Sequence, residues 1–578
     1  KINTSMEVCI FKIMDIYNIN KVISIMKDNI KSRFSSKGKK IIDINNKVVD
    51  NSLKYLKKIS IDSSWVKLEY SDNKKLNFNE TINLLKGDTL PVSSFLDVSN
   101  GVFEGGTTKN EKRNIAESIP NWIPENCSEC NKCAFACPHG VIRPFLLDKN
   151  DKKIESIPSI MPKDVNFAIG INYEECTGCG LCAVTCPGKM GKKALEMVSN
   201  KRHDKEFDYL LKNNINDKYD SNILTSRNIS FRTPKFEYSG ACAGCGETPY
   251  LTNLTRVFND NLVIANATGC SSIYGGSTPS FPYSIPWASS LFEDNAEYGY
   301  GMLMANKVMK NRIKNIMEKE NDNPLYKTWL ENMDNYEKTL EVYNNLDYDK
   351  VPKELRDLKD YIVKRSIWTI GGDGWAYDIG YGGIDHVLAS NEDVNILVLD
   401  SQVYSNTGGQ SSKSSQIGSI AAFTSFGKKQ NKKDLARIAM AYPHVYVAQV
   451  CMGANPNQVI KALTEAEAHK GPSIVIAYSP CISHGIKGGM TNSIKTEISA
   501  TKCGYFPIFR YNPDTKVFTL ESKNPYFSLY EEYLETQARY NMLKVINPDK
   551  AEELLRKNKE NAIARFNYYK ELEEKQGN

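Results

Sequence analysis

Eight of the chain's fifteen cysteines fall between residues 127 and 186. They form two runs, Cys127-x2-Cys130-x2-Cys133-x3-Cys137-Pro138 and Cys176-x2-Cys179-x2-Cys182-x3-Cys186-Pro187. Structural disulfides scatter along secreted chains, whereas thiols packed this tightly bind metal. A 4Fe–4S cube needs four thiolates, and one tight loop can supply three of them. Structural zinc is the competing chemistry, but zinc usually takes two CxxC pairs and not two runs of this form. Gly178 and Gly180 let the second loop approach its cluster closely. Two adjacent clusters imply an electron path. Free thiolates also imply a reducing compartment, so the expected location is the cytoplasm.

The spacing is that of bacterial two-cluster ferredoxins, in which the fourth Cys, the one before Pro, ligates the other cluster. The expected sets are therefore Cys127, Cys130, Cys133 and Cys186 for one cube, and Cys176, Cys179, Cys182 and Cys137 for the other. Four further cysteines are less decisive. Cys242 and Cys245 form a single CxxC, equally a zinc half-site or a redox pair. Cys270 follows in Thr268-Gly-Cys-Ser-Ser, and Cys481 lies far downstream. Spacing alone does not select Cys481 over Cys451 or Cys503. Cys9, Cys451 and Cys503 read as buried small hydrophobes.

A second kind of chemistry is suggested by Gly371-Gly-Asp-Gly-Trp, which follows one apolar run and opens a helical stretch. Asp373 is placed to hold Mg²⁺ against a diphosphate, since Mg²⁺ prefers hard oxygen ligands shared with phosphates. Another apolar run ends at Leu399-Asp-Ser-Gln-Val-Tyr-Ser-Asn-Thr-Gly-Gly, returning the chain to the carboxyl edge of the same sheet. A GDG with a second polar ligand at this distance resembles the thiamin diphosphate motif. A GDG alone would equally be a tight turn.

These residues must be carried by a chain of 578 residues, enough for three or four domains at about 150 each. Hydrophobic residues make up 41% and charged residues 25%, ordinary for a globular protein. The net charge of +6 gives no general affinity for nucleic acid, and no apolar run approaches a membrane span. Nor does the start read as a signal peptide, because Glu7 and Lys12 interrupt its short apolar stretch. From residue 233 apolar runs alternate with helical patterns. The runs are Leu262-Val-Ile-Ala, Ser366-Ile-Trp-Thr-Ile, Val394-Asn-Ile-Leu-Val-Leu, Val445-Tyr-Val-Ala-Gln-Val and Ser473-Ile-Val-Ile-Ala-Tyr. Helical patterns at Asp434–Ala441 and Pro456–Ala468 lie between them. Short continuous runs in that order predict a parallel sheet covered on both faces. Residues 318–362 read as a charged helical insertion, and Pro525–Asn578 as two or three helices. Near the start, Val8-Cys-Ile-Phe-Lys-Ile reads as a strand and Val22–Ile30 as a short helix.

Taken together, these landmarks resemble the pyruvate:ferredoxin (flavodoxin) oxidoreductase family over nearly the whole chain. They include Leu90-Pro-Val-Ser-Ser-Phe, Gly106-Thr-Thr-Lys-Asn-Glu-Lys-Arg-Asn-Ile-Ala, both cysteine runs and Ala241-Cys-Ala-Gly-Cys-Gly-Glu-Thr-Pro-Tyr. Further along come Thr268-Gly-Cys-Ser-Ser-Ile-Tyr-Gly-Gly, Gly371-Gly-Asp-Gly-Trp-Ala-Tyr-Asp-Ile-Gly, Val403-Tyr-Ser-Asn-Thr-Gly-Gly-Gln and Ser479-Pro-Cys-Ile-Ser-His-Gly. The resemblance implies that Cys242, Cys245, Cys270 and Cys481 hold a third 4Fe–4S cluster. It implies Mg²⁺ on Asp373, Ser401 and the main-chain carbonyl of Val403; the family commonly has Thr at the Ser401 position. Gly372, Gly374 and Trp375 would flank the cofactor, and Glu247 and Asn406 would lie close to thiamin and substrate. By itself, Glu247 could also be a helix N-terminal carboxylate.

The implied fold class is α/β: a two-cluster ferredoxin-like α+β domain followed by a thiamin diphosphate-binding parallel α/β domain. The implied boundaries are 1–85 for the end of an α/β, coenzyme A-related domain, 86–120 for a linker and 121–200 for the ferredoxin-like domain. A second linker at 201–232, the thiamin domain at 233–524 and a helical tail at 525–578 complete the set. The implied activity is oxidative cleavage of pyruvate with coenzyme A to acetyl-CoA and CO₂, with electrons passing to ferredoxin or flavodoxin, by analogy in a homodimer. The chain starts without Met and is expected to be part of a longer protein whose other half supplies most pyruvate contacts. A related 2-oxoacid oxidoreductase and an electron-transfer module without catalysis are the alternatives.

Overall fold

A computed structural model describes residues 2–34, 39–66, 76–199, 205–276, 280–320 and 322–576. The chain divides into two compact units, residues 1–96 with 542–549, and residues 97–541 with 550–578.

In the smaller unit, helices Ile2–Met14, Ile19–Phe34 and Lys39–Tyr55 pack around Val8, Val22, Met26, Ile30 and Val49. The apolar run at Val8-Cys-Ile-Phe-Lys-Ile is therefore helical, not a strand. Val8 and Phe11 share an inward face at i,i+3 spacing, and Val22, Met26 and Ile30 repeat every four residues. The described residues of 1–96 contain helices and no strand, so nothing in them shows the α/β character expected of residues 1–85.

The larger unit begins with 3₁₀ turns and then strand β1 (Ser118–Trp122). The strands β2 (Ile142–Asp148), β3 (Ile157–Pro158), β4 (Val165–Ile171) and β5 (Leu195–Ser199) follow. β2, β4 and β3 form one small antiparallel sheet, and β1 pairs with β5 in another. The polar stretch read as a linker at 201–232 is partly structured. Helix Lys205–Asn213 buries Phe207 and Leu210 against Phe145 and Leu147 of β2. Its few apolar residues lie on one face, which a composition reading overlooks.

The second half forms an eight-stranded sheet from β6 (Leu262–Asn266), β7 (Trp287–Ser289), β8 (Ser366–Gly372), β9 (Asn395–Asp400), β10 (Tyr446–Val450), β11 (Ser473–Tyr478), β12 (Phe509–Asn512) and β13 (Val517–Leu520). Their order is β13-β12-β10-β11-β9-β8-β6-β7. The six from β10 to β7 are parallel, and the β12–β13 hairpin adds two antiparallel strands at one edge. Both faces are buried, as the continuous apolar runs predict. Ile396 and Val398 face one core with Ile474 and Ile476, whereas Leu397 and Leu399 face the other with Val475 and Ala477. Helices Pro324–Glu331, Tyr336–Asn345 and Lys353–Asp357 pack around Trp329, whose indole N–H donates to the Ile362 carbonyl at 2.8 Å. The carboxyl ends of β6, β8, β9 and β11 open together, the position where α/β sheets bind ligands.

Among the described residues four α-helices follow residue 525, at Tyr530–Glu535, Ala538–Asn541, Leu543–Ile546 and Pro548–Gln576. The count exceeds the two or three expected, because the short turns carry no long apolar period. No helix among the described residues is long and apolar enough to cross a membrane.

Candidate functional site

The two cysteine loops turn on left-handed residues, Asn131 (φ 56°) and Gly180 (φ 74°), each opening a one-turn helix. Cys127, Cys130, Cys133 and Cys186 line one small cavity with Trp122, Ile169 and Leu195. The other four also converge. Cys137 lies close enough to raise the pKa values of Cys176, Cys179 and Cys182 by charge repulsion. The crossed grouping read from spacing is thus the spatial one. Burial is the largest cause of the shifts, pushing the Cys176 thiol up to about 12 and Cys179 to about 11. Thiols confined this way ionise readily only when a metal takes the charge. The surroundings suit bound sulfur. Backbone N–H groups of Gly178 and Ala194 donate to Cys176 Sγ and Cys186 Sγ, each at 3.4 Å. Trp122 Nε1 has no conventional hydrogen-bond partner and faces Cys127.

A third set gathers at the carboxyl edge of the large sheet. Cys270 starts the helix after β6, Cys481 follows β11, and Cys242 and Cys245 precede helix Thr248–Phe258. Cys270 is raised by burial first, then by Glu247, Cys481, Cys245 and Cys242. Glycine makes this convergence possible. A Cβ on Gly246 would stand 2.5 Å from the Pro480 carbonyl oxygen, so the CxxC loop docks directly on the segment carrying Cys481. Gly244, at φ +78°, is pressed against Met490 in the same way. Its N–H lies within hydrogen-bonding range of Cys179 Sγ, placing the third set beside the second. Thr491 secures the approach by donating to the Cys179 carbonyl at 2.7 Å.

Next to Cys270 lies a cleft of about 250 Å³ lined also by Glu247, Gly372, Asp373, Gly374, Ser401, Val403 and Asn406. Gly374 opens a π-helical turn, a geometry common at functional sites, and a Cβ there would strike Tyr404 at 2.6 Å. Asp373 is 1% exposed. Its Oδ1 accepts from Ser401 Oγ at 3.0 Å, and its Oδ2 accepts from Ser412. Ser401 Oγ also stands 3.2 Å from the Val403 carbonyl oxygen. The three expected Mg²⁺ donors are therefore mutual neighbours, all hard oxygens. Burial, and then the charge of Asp400, push the Asp373 carboxyl up to about 7. A divalent cation would reverse that shift, so the donor set fits Mg²⁺.

Glu247 is pushed up to about 7 by burial, and its Oε2 accepts from Tyr274 Oη at 2.9 Å. Of the residues expected to hold thiamin diphosphate and Mg²⁺, Trp375 alone does not line the cleft. Its ring is fully buried against Gly371 and Gly380 and packs beneath the turn instead.

Several contributors escaped the sequence reading. Asp400 is completely buried, accepting from Tyr377 Oη at 3.0 Å and Lys432 Nζ at 2.7 Å, with Ser414 beside it. Lys428 Nζ donates to the carbonyls of Ser412 and Ser415 at 2.8 and 2.7 Å, fixing the loop that holds Asp373. The run Lys428-Lys-Gln-Asn-Lys-Lys reads as a solvated charge cluster and gave no signal. His484 joins the two centres. Its Nε2 donates to the Ser401 carbonyl at 2.6 Å while Nδ1 accepts from the Cys481 N–H at 3.4 Å. Those contacts assign the Nε2–H tautomer, and burial holds the ring neutral. His484 lay within a quoted motif, but nothing in the spacing assigned it this role.

Comparison with known families now adds to this geometry. Residues 359–477 match the C-terminal TPP binding domain of thiamine pyrophosphate enzymes, and residues 126–190 a 4Fe–4S dicluster domain. Residues 77–116 match a domain of unknown function. The chain is 43% identical to pyruvate:ferredoxin oxidoreductase of Moorella thermoacetica, over 99% of this chain and 53% of that protein. It is 39% identical to pyruvate-flavodoxin oxidoreductase of Enterobacter agglomerans, over 99% of this chain and 52% of that one. Over nearly its whole length the chain is similar to pyruvate:ferredoxin and pyruvate-flavodoxin oxidoreductases. It spans about half the length of these curated relatives. A 37% identical relative in Euglena gracilis, a mitochondrial NADP⁺ pyruvate dehydrogenase, has 34% of its length matched. The two domain matches put an iron–sulfur dicluster domain and a TPP-binding domain in one chain.

Proposed function

We propose that this chain is the iron–sulfur and thiamin diphosphate-binding portion of a pyruvate:ferredoxin or pyruvate:flavodoxin oxidoreductase. The reaction converts pyruvate and coenzyme A to acetyl-CoA, CO₂, one proton and two electrons, which leave singly through three 4Fe–4S clusters. The observation that carries this reading is the position of Cys270. It lines the cleft with Asp373, Glu247 and Asn406, so a thiol of the third set borders the diphosphate site.

Asp373, Ser401 Oγ and the Val403 carbonyl would hold Mg²⁺ on the diphosphate, while Ser412 and Lys428 keep the Asp373 carboxylate aimed. Bound thiamin supplies an electron sink for decarboxylation, and the clusters supply one-electron acceptors. Glu247, buried in the cleft wall and oriented by Tyr274, can hold or release a proton near neutral pH. Asn406 offers an amide to a substrate oxygen from the cleft rim. Cys481 donates to Ser405 Oγ at 3.1 Å as a thiol; as a cluster thiolate it would accept from that hydroxyl. His484 couples its backbone to the Mg²⁺ ligand Ser401. The third set lies beside the second, which in turn borders the first through Cys133 and Cys182. The three sets thus form one sequence leading away from the cleft.

Iron and acid-labile sulfide per chain, measured on anaerobically purified protein together with thiamin diphosphate binding, test this reading. About twelve iron with bound thiamin supports it. About eight iron without thiamin would favour an electron-transfer module, a reading that the half-length match to the relatives keeps specific.

A further inference from the structure

The segment after Cys186, Pro187-Gly-Lys-Met-Gly-Lys-Lys, carries three lysines and no acid. Lys189, Met190, Lys192 and Lys193 are all exposed, and Met190 is fully so, an unusual position for a large apolar side chain at the tip of a turn. The turn is tightly built. Gly188 has φ +64°, and a Cβ there would fall 1.7 Å from the Lys192 carbonyl oxygen. Lys192 N–H closes the turn on the Lys189 carbonyl at 2.9 Å.

The same turn is tied to both ends of the first cysteine set. Lys189 N–H donates to the carbonyl of Asn126, the residue before Cys127, at 2.9 Å. Asn126 Nδ2 returns a hydrogen bond to the Lys193 carbonyl at 3.1 Å. Lys193 Nζ donates to the Val184 carbonyl at 3.0 Å and to that of Cys186. The Ala194 N–H, next in sequence, donates to Cys186 Sγ. The turn is therefore a rigid projection from the cluster loop.

Lys193 is used internally, but the charges of Lys189 and Lys192 are not. Among the described residues, Lys189 and Lys192 form no ion pair, and neither does Lys132, exposed between Cys130 and Cys133. Glu125 and Glu196 are the exposed carboxylates that flank the region in sequence, leaving the lysines in excess. An apolar tip flanked by two unpaired lysines is the complement of an acidic protein surface with an apolar centre.

We propose that the Lys189–Lys193 turn is the docking surface for an acidic one-electron carrier protein of the ferredoxin or flavodoxin type. The proposal rests on the electron-transfer function proposed above and assigns it an exit. Met190 would occupy the centre of the interface and the lysines its rim. One electron leaves the site built on Cys127, Cys130, Cys133 and Cys186 and reduces the docked carrier by one equivalent. No bond forms or breaks.

The test uses the anaerobically purified chain with its clusters and the double variant Lys189→Glu/Lys192→Glu. Dithionite-reduced protein is mixed with an acidic ferredoxin, and separately with methyl viologen, across a range of NaCl concentrations. Calorimetric titration with oxidised ferredoxin measures binding on the same samples. The expected result is at least a ~10-fold lower second-order rate constant towards ferredoxin at low salt, converging with the parent at high salt. Binding weakens in parallel, the rate towards methyl viologen is unchanged, and the electron paramagnetic resonance spectrum of the clusters is retained. Lys189→Arg/Lys192→Arg keeps the parent rate, showing that charge and not backbone fit is at issue. Equal ferredoxin rates and affinities for parent and reversed-charge protein overturn the docking surface alone. A parent that reduces viologen but not ferredoxin also overturns it, whereas one that reduces neither overturns the electron-transfer reading itself.

Discussion

Asp373 is held by two hydroxyls, and only one of them belongs to a proposed metal ligand. Ser401 would turn its oxygen towards Mg²⁺, leaving Ser412 as the hydrogen bond that keeps Oδ2 oriented. Ser412→Ala is expected to raise the Mg²⁺ concentration needed for thiamin diphosphate binding by about 10-fold, as loss of a group supporting a metal ligand typically does. Ser412→Thr, retaining the hydroxyl, should restore binding. An unchanged Mg²⁺ dependence in the alanine variant would remove Ser412 from the site. The crossed cysteine grouping yields a second expectation. Cys186→Ala should abolish the cluster of Cys127, Cys130 and Cys133 and spare that of Cys176, Cys179 and Cys182. Iron would fall by about four per chain with two reduced-cluster signals remaining. Selective loss of the second cluster instead would show that each run ligates its own cube.

At the scale of elements, the third cysteine set depends on two loops meeting without side chains between them. Gly246 has an ordinary backbone conformation, so alanine is tolerated locally; the obstacle is the Pro480 carbonyl 2.5 Å from the added Cβ. Gly246→Ala should push the CxxC loop off Cys481 and lower iron content by about a third, while the ferredoxin-like signals persist. Full iron content in this variant would mean that the loop relaxes without cost. The elements differ in how plainly the sequence shows them. Five of the six parallel strands were legible because burial on both faces leaves nearly continuous apolar runs such as Val394–Leu399; β7, three residues long and not buried, left none. Val8–Ile13 misled for the same reason: a six-residue apolar run does not distinguish a strand from a buried helical turn. The β12–β13 hairpin was missed because Arg510 interrupts it. Its guanidinium is occupied internally, pairing with Glu521 at 2.6 Å and with Glu465. The two ferredoxin-type sets could be read from spacing, being local in sequence. The set of Cys242, Cys245, Cys270 and Cys481, and the support from Lys428, Lys432 and His484, arise from tertiary contact and leave no local pattern.

Across the whole molecule, a buried carboxylic acid outside the site sets a pH dependence of its own. Glu497 is 1% exposed on helix Ser493–Lys502, where it accepts from the Gly453 N–H beyond the end of β10, near Cys451 and Tyr250. Among the described residues no cation offsets its burial, which pushes its carboxyl up to about 8. In the unfolded chain the group ionises near its ordinary value of about 4.3. Below that pH both states are protonated and the group contributes no pH dependence. Between about 4 and about 8 the unfolded chain releases a proton that the fold retains, so stability falls as pH rises. Above about 8 both states are ionised, and the cost of the buried charge, on the order of a few kcal/mol, is present in full. Glu497→Gln keeps an oxygen acceptor for Gly453 and removes the charge. Its thermal midpoint, measured anaerobically on the cluster-loaded chain, should match the parent near pH 4, exceed it increasingly up to about pH 8 and gain no more by pH 9. A constant offset across that range would show that Glu497 is already ionised in the fold at neutral pH and that a partner stabilises its charge.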